Sequence, residues 1–205
     1  MKKYFVALST TALISLAPFA LAASSTDLTV TGTITPSACT PSLSSGGVVD
    51  LGKILVKNLN PTTYTLVNTT SMQLSVACES AVSFALISKD NRPNTSFNNK
   101  GFGLGETDAG ERLGAFAPLV RSVVADGVTA RAIESLDDGA TWVQGGYMSP
   151  DRITSVSAVG ELVPMPAQDL LMNVHVQTWI ARADSLTLTN DVTIDGSATF
   201  EMKYL

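Results

Sequence analysis

The 205-residue chain carries 13 Lys and Arg against 18 Asp and Glu, a net charge of −5 and a pI near 4.7. An acidic balance without clustered Lys and Arg argues against nucleic acid or an anionic membrane as a partner. Charged residues are only 15% of the chain, while Thr, Ser, Val, Ala and Gly abound, a composition that favours β-structure and an exported surface.

The chain opens with Met1-Lys2-Lys3, an apolar run over 4–21 and the small-x-small triplet Ala20-Leu21-Ala22. Charged, apolar and cleavage regions in that order predict a secretory signal peptide over 1–22, with Ala23 the first mature residue. Ser9, Thr10, Thr11, Ser15 and Pro18 interrupt the run, which speaks against a retained membrane anchor. The remaining residues, 23–205, suffice for a single domain.

Leu28, Val30, Gly32 and Ile34 alternate with four threonines, predicting a strand over 27–35 that Pro36 ends. Cys39 follows and Cys78 is its only possible partner; in an oxidising compartment the pair reads as one disulfide. A turn over 42–47 leads to a second apolar stretch over 48–56, and Asn60-Pro61 marks another turn. Met72, Leu74, Val76 and Cys78 alternate with polar or small residues as in a half-buried strand. A further strand over 81–88 turns Val82, Phe84 and Leu86 inward.

Residues 89–111 contain Asn91, Asn94, Asn98, Asn99 and the run Gly101-Phe-Gly-Leu-Gly105, and are expected to form a long loop or flap. Pro118, inside the β-like stretch 113–124, suits an edge strand. Residues 129–136, the turn Asp137-Asp138-Gly139 and 141–143 read as a hairpin. The stretch 149–166, with three prolines, reads as turns. A long strand over 170–181 turns Val174, Val176, Thr178 and Ile180 inward, with Asn173, His175, Gln177 and Trp179 on its other face. Leu186, Leu188, Val192 and Ile194 then lead to the last strand, where Phe200, Met202 and Tyr204 alternate with Thr199, Glu201 and Lys203. A chain ending on an apolar strand places it deep in a sheet or exposes a pairing edge. No stretch carries a 3.6 period of helical length, so the expected fold class is all-β, a sandwich.

Chemistry is sparse. His175 is the one histidine and has no nucleophile motif beside it. Metal-ligand spacing is absent, and the glycines of 101–105 do not join a strand to a helix. Glu106, Asp108 and Glu111, or Asp137 and Asp138, lack the alternating ligands of a calcium loop. The expectation is a protein that is not an enzyme and holds no cofactor or metal. Residues 135–142 fit Ser-x-Asp-x-Gly-x-Thr-Trp and resemble the Asp-box hairpin of sialidase propellers, here once and in a chain too short for a propeller. Its physical content is a turn in which Asp137 accepts backbone N–H bonds, Gly139 takes positive φ and Trp142 packs beneath.

Thr31-Gly-Thr-Ile34, the cysteines 39 residues apart, Ala198-Thr-Phe200 and penultimate Tyr204 together resemble a chaperone–usher pilin subunit. The resemblance implies an immunoglobulin-like sandwich that lacks its seventh strand. In that family the groove beside the last strand is filled by a periplasmic chaperone, then by the N-terminal extension of the next subunit. On this reading Phe200, Met202 and Tyr204 serve strand pairing, and Leu28 and Val30 are the donor strand. The chain is most similar to the GltF-like domain-of-unknown-function family of fimbrial operons. That likeness rests on Leu28-Thr-Val-Thr-Gly32, Ala38-Cys-Thr-Pro41, Gly46-Gly-Val-Val-Asp-Leu-Gly52, Leu59-Asn-Pro-Thr62, Ser88-Lys-Asp-Asn-Arg92, Phe102-Gly-Leu-Gly105 and Tyr204-Leu205. It implies a fimbrial or fimbrial-like structural subunit in the periplasm or on the bacterial surface. Its partners would be a pilus chaperone, an outer-membrane usher and other subunits. Two departures stand out: only residues 23–31 precede Gly32, and Gly196 lies closer to the end than the corresponding pilin glycine. Two other functions fit the composition. One is a glycan-binding tip or surface protein, with a site around the flap, Trp142, Tyr147 or Trp179 and a host glycan as partner. The other is a non-polymerising periplasmic protein with a signalling role.

Overall fold

A computed structural model describes residues 28–31, 38–98 and 100–205. The signal peptide over 1–22 and most of the strand expected over 27–35 lie outside the described residues. The chain divides into two units, 1–35 and 36–205. In the first, Leu28 and Val30 are exposed.

The second unit is built from ten strands: β1 (Cys39–Leu43), β2 (Thr65–Val82), β3 (Phe84–Asp90), β4 (Phe102–Gly103), β5 (Gly114–Ala125), β6 (Val128–Ser135), β7 (Val143–Gln144), β8 (Ile153–Ala158), β9 (Ala167–Ile180) and β10 (Ala198–Tyr204). Among the described residues the only helical turns are three short 3₁₀ segments. Hydrogen-bonded neighbours follow the order β1-β2-β9-β5-β6-β8-β3-β10, every pairing antiparallel, with β4 beside β5 and β7 beside β6. The fold is all-β, an immunoglobulin-like sandwich with one disulfide.

Period-two alternation builds the core. On β2, Met72, Leu74, Val76 and Cys78 are buried, and on β9 so are Leu170, Met172, Val174 and Val176. They meet Phe84 and Leu86 of β3, Val156 of β8, and Phe200 and Met202 of β10. A second cluster, Leu59, Leu104, Leu113 and Ile180, is partly covered by Ile54, Leu186, Leu188, Val192 and Ile194. The disulfide joins Cys39 to Cys78, directly opposed in the β1–β2 register.

Residues 48–56, the second apolar stretch, form irregular backbone up to the 3₁₀ turn that begins at Val56. Three expectations change. Residues 89–111 are irregular but not a free flap: Phe102 and Leu104 are buried, and Phe102 packs on Phe116 and Phe200. Gly103 permits this, since a Cβ there would lie 2.0 Å from Thr95 Oγ1 and 2.6 Å from the Arg92 carbonyl. β5 is internal rather than an edge. Ala181 donates to the Leu113 carbonyl, so up to the bulge between Val120 and Ser122 odd-numbered β5 residues bond β9 and Pro118 turns its nitrogen the other way. On that side its carbonyl accepts from Met148 N–H, and no donor is missed. Finally, β8 was expected as turns. It is buried from Ile153 to Ser157. Its two serine hydroxyls bond backbone, Ser155 Oγ donating to the Phe84 carbonyl at 2.5 Å and Ser157 Oγ to that of Glu161 at 2.9 Å, while Thr154 Oγ1 is buried with no partner among the described residues.

The 135–142 hairpin forms as expected. Asp137 accepts from Ser135 Oγ at 2.7 Å, Thr141 N–H at 2.8 Å and Thr141 Oγ1 at 2.6 Å. Gly139 has φ 101°, and a Cβ there would lie 3.5 Å from Trp142 Cζ2.

Candidate functional site

The two ends of the sheet path come together without pairing as a ladder. At their point of approach the Cys39 N–H donates to Tyr204 Oη at 2.9 Å. From there the edges diverge around a cleft of about 700 Å³. One lip is Leu43 of β1 continued by Val49, Ile54 and Val56; the other is Ala198 and Phe200 of β10 preceded by Leu188, Val192 and Ile194. Met72, Leu74, Val174 and Val176 form its floor, so the cleft opens directly onto the core.

Hydrogen-bond parity shows which backbone groups face it. Leu205 N–H donates to the Ser83 carbonyl, and Asn91 N–H to that of Ser197. With the β10–β3 register, Thr199, Glu201 and Lys203 therefore bond β3, and Ala198, Phe200, Met202 and Tyr204 direct their N–H and C=O groups away from it. Likewise Glu79 N–H donates to the Ala38 carbonyl, so Thr40 and Ser42 bond β2 while Cys39, Pro41 and Leu43 face outward. Pro41 thus stands where its lack of an N–H costs the sheet nothing. Among the described residues β10 pairs only with β3, and β1 only with β2: both lips are open edges.

The β10 lip is pinned from below. Arg92 Nη2 and Asp195 Oδ2 are 2.6 Å apart, and the Asp195 N–H donates to the Leu104 carbonyl. Gly196 is pressed so near Leu104 and Phe116 that a Cβ would come within 2.7 Å of Leu104 Cδ2. Glu111 accepts from Thr187 N–H and Oγ1 and from Thr107 Oγ1; these bonds, the Thr187 backbone bond foremost, hold its carboxyl below the usual range. Across the mouth Lys53 and Asp191 approach to 3.7 Å, both strongly exposed, a contact of little energetic weight.

Of the residues singled out in the sequence, Phe200 lines the cleft and Met202 packs on the main core behind it. Tyr204 is half-exposed and holds the narrow end. Cys39 and Cys78 fix β1 to β2 beside that point. Leu28 and Val30 are exposed. His175 is half-buried on the outer face of β9. Tyr147 and Trp179 come together in a separate depression, from which Trp142 is absent. Sequence reasoning missed the lip residues Val49, Ile54 and Val56; their apolar character was visible, but their lack of a sheet partner was not.

Residues 28–101 match a family model described as a protein of unknown function (DUF1120). The chain is 29% identical to Protein GltF of Escherichia coli (strain K12), the alignment spanning 100% of this chain and 99% of that protein. It is 25% identical to the uncharacterized protein YhcF of the same organism, over 91% of this chain and 94% of that protein.

Proposed function

We propose that the protein is an exported structural subunit of fimbrial type that acquires a strand in the cleft between β1 and β10. The observation that carries this reading is the pair of outward-facing, unpaired sheet edges flanking an apolar floor. Such an arrangement offers main-chain bonds to an extended segment and seats for its alternate side chains. The exposed Leu28 and Val30 support it from the other side: two apolar residues spaced for one face of a strand are the equipment of a donor. In the periplasm a chaperone strand would fill the cleft first. A usher would then exchange it for the N-terminal segment of another subunit.

The test uses the mature chain and a synthetic peptide of residues 24–35. The expected result is a saturable complex with a raised melting temperature and slowed amide exchange at Phe200 and Met202. A peptide with Leu28→Asp and Val30→Asp should give neither. Absence of a complex, or equal stabilisation by both peptides, refutes the proposal.

A further inference from the structure

On the outer face of the β5–β9 pair, away from the cleft, lies a depression of about 240 Å³. Its base is made by Gly101, Ala115 and Ala117, and its walls by the rings of Phe97, Tyr147 and Trp179. Trp179 and Ala115 are register partners, so the indole borders a floor of small side chains. Phe97 is stacked on Tyr64, with ring centroids 4.1 Å apart and an interplanar angle of 22°, which fixes that wall. The 146–148 segment is laced to β5 through Val120 N–H to the Gly146 carbonyl at 2.7 Å and Met148 N–H to the Pro118 carbonyl at 3.0 Å, which fixes Tyr147. The hollow is therefore preformed, and smaller than the roughly 300–1,000 Å³ of drug-sized sites.

Its polar groups are mostly donors. Arg152 lines it and is immobilised by Glu134 at 2.6 Å, Asp151 at 2.9 Å and Ser149 Oγ at 3.1 Å. Its single Nε N–H is shared between Asp151 Oδ1 and Ser149 Oγ, while Nη1 donates once to Glu134 and Nη2 once to Asp151, leaving two of the five guanidinium N–H groups free. The Lys100 ammonium, the Asn98 side-chain NH2, the Tyr147 hydroxyl and the Trp179 indole N–H donate to no described residue, while Asn98 Oδ1 accepts from the Lys100 backbone N–H at 3.0 Å. Apolar ring faces beside uncommitted donors suit a ligand with an apolar face and a rim of acceptor oxygens. A pyranose ring has that form. Lys100, which has no carboxylate partner among the described residues, adds a preference for a negative substituent.

We infer that this depression is a carbohydrate subsite for a single carboxylated pyranose, held by the faces of Tyr147 and Trp179 and by donors from Lys100, Asn98 and Arg152. The inference is independent of strand exchange in the cleft.

The experiment is a glycan array probed with the mature protein, carrying uronic- and sialic-acid-terminated glycans beside their neutral counterparts. The affinity of the best ligand is then titrated against variants. The expected result is binding to acid-terminated glycans, weakened about tenfold or more by Trp179→Ala and abolished by Ala117→Leu, which fills the hollow without removing a contact group. Lys100→Gln should erase the preference for acidic over neutral termini. Circular dichroism and melting curves identify any variant that misfolds, and Lys100→Gln, at an exposed position, keeps the test informative if a core-side variant does. No binding to any glycan, binding unchanged by Trp179→Ala and Ala117→Leu in folded protein, or equal binding of neutral and acidic termini would each overturn the inference.

Discussion

Removing the Cys39–Cys78 bridge tests how the β1 lip is held. The two residues are 39 apart in sequence and directly opposed in the register. They occupy a non-hydrogen-bonded position, since the bonded pairs are Ala38–Glu79 and, two residues on, Thr40–Ala77. Loop-closure entropy for about 40 residues gives a stabilisation of about 4 kcal/mol. In a domain of this size that corresponds to a fall of about 8–16 °C in melting temperature. Because β1 bonds only β2 among the described residues, the loss should concentrate at this lip. The Cys39→Ala/Cys78→Ala variant is compared with the oxidised protein by urea unfolding, and by amide exchange at Thr40 and Ser42, whose N–H groups face β2. A difference below about 1 kcal/mol, with exchange at those amides unchanged, would refute the argument: β1 would then be secured by its ladder and by Leu43 alone.

Two further outcomes are expected. Hydrogen bonds from Ser135 and then Thr141 lower the Asp137 carboxyl from 3.8 to about 2, so its contribution is complete above pH 3.8 and is lost as pH falls through 2. Asp137→Asn should melt below the wild type at neutral pH, with the gap closing toward pH 2, and a pH-independent offset in melting curves recorded from pH 2 to 7 would contradict this. Gly103→Ala should cost about 1–3 kcal/mol by overpacking, because the new Cβ meets Thr95 Oγ1 and the Arg92 carbonyl; a chemical denaturation midpoint equal to wild type would show that the 89–111 segment is not seated as described.

What the sequence disclosed follows from how locally each feature is encoded. β2 and β9 were legible because a strand with one buried face writes its burial as period two, and Met72 to Cys78 and Val174 to Ile180 obey it; on β10 the sequence alternates, but Phe200 and Met202 are only partly buried against the core. The 135–142 hairpin was legible because its turn needs particular residues at particular offsets. β8 was hidden because both faces are buried and the hydroxyls of Ser155 and Ser157 satisfy themselves on backbone, giving a polar sequence in an interior position. Pro118 misled because its edge character is local: one side of β5 bonds β9 for the whole strand, and only the other is interrupted. The cleft was half legible. A terminal apolar strand announced an open edge, but the opposing lip comes from residues 48–56, far away in sequence and without regular structure. The ring-lined depression gathers residues from four separate segments, each supplying too few to form a motif.

The directions of the two lips constrain any strand that enters between them. Each neighbour along the eight-strand path reverses direction, so β1 and β10 run opposite ways. A strand separating them is necessarily parallel to one and antiparallel to the other, whichever end it enters. Ladder type alone therefore does not choose its polarity, since each orientation supplies one ladder of each kind. The lips are unequal, however. On β1 the Cys39 N–H is engaged by Tyr204 and Pro41 has none, leaving Leu43 as the one free donor on that strand. On β10, Ala198, Phe200 and Met202 each present both an N–H and a C=O. The antiparallel ladder is the more stable per residue, and it gains most where the complement of donors and acceptors is full. In the proposed function, the lasting occupant of the cleft is accordingly antiparallel to β10 and parallel to β1. A strand inserted with the opposite polarity forms the weaker complex, and is the one that can be displaced.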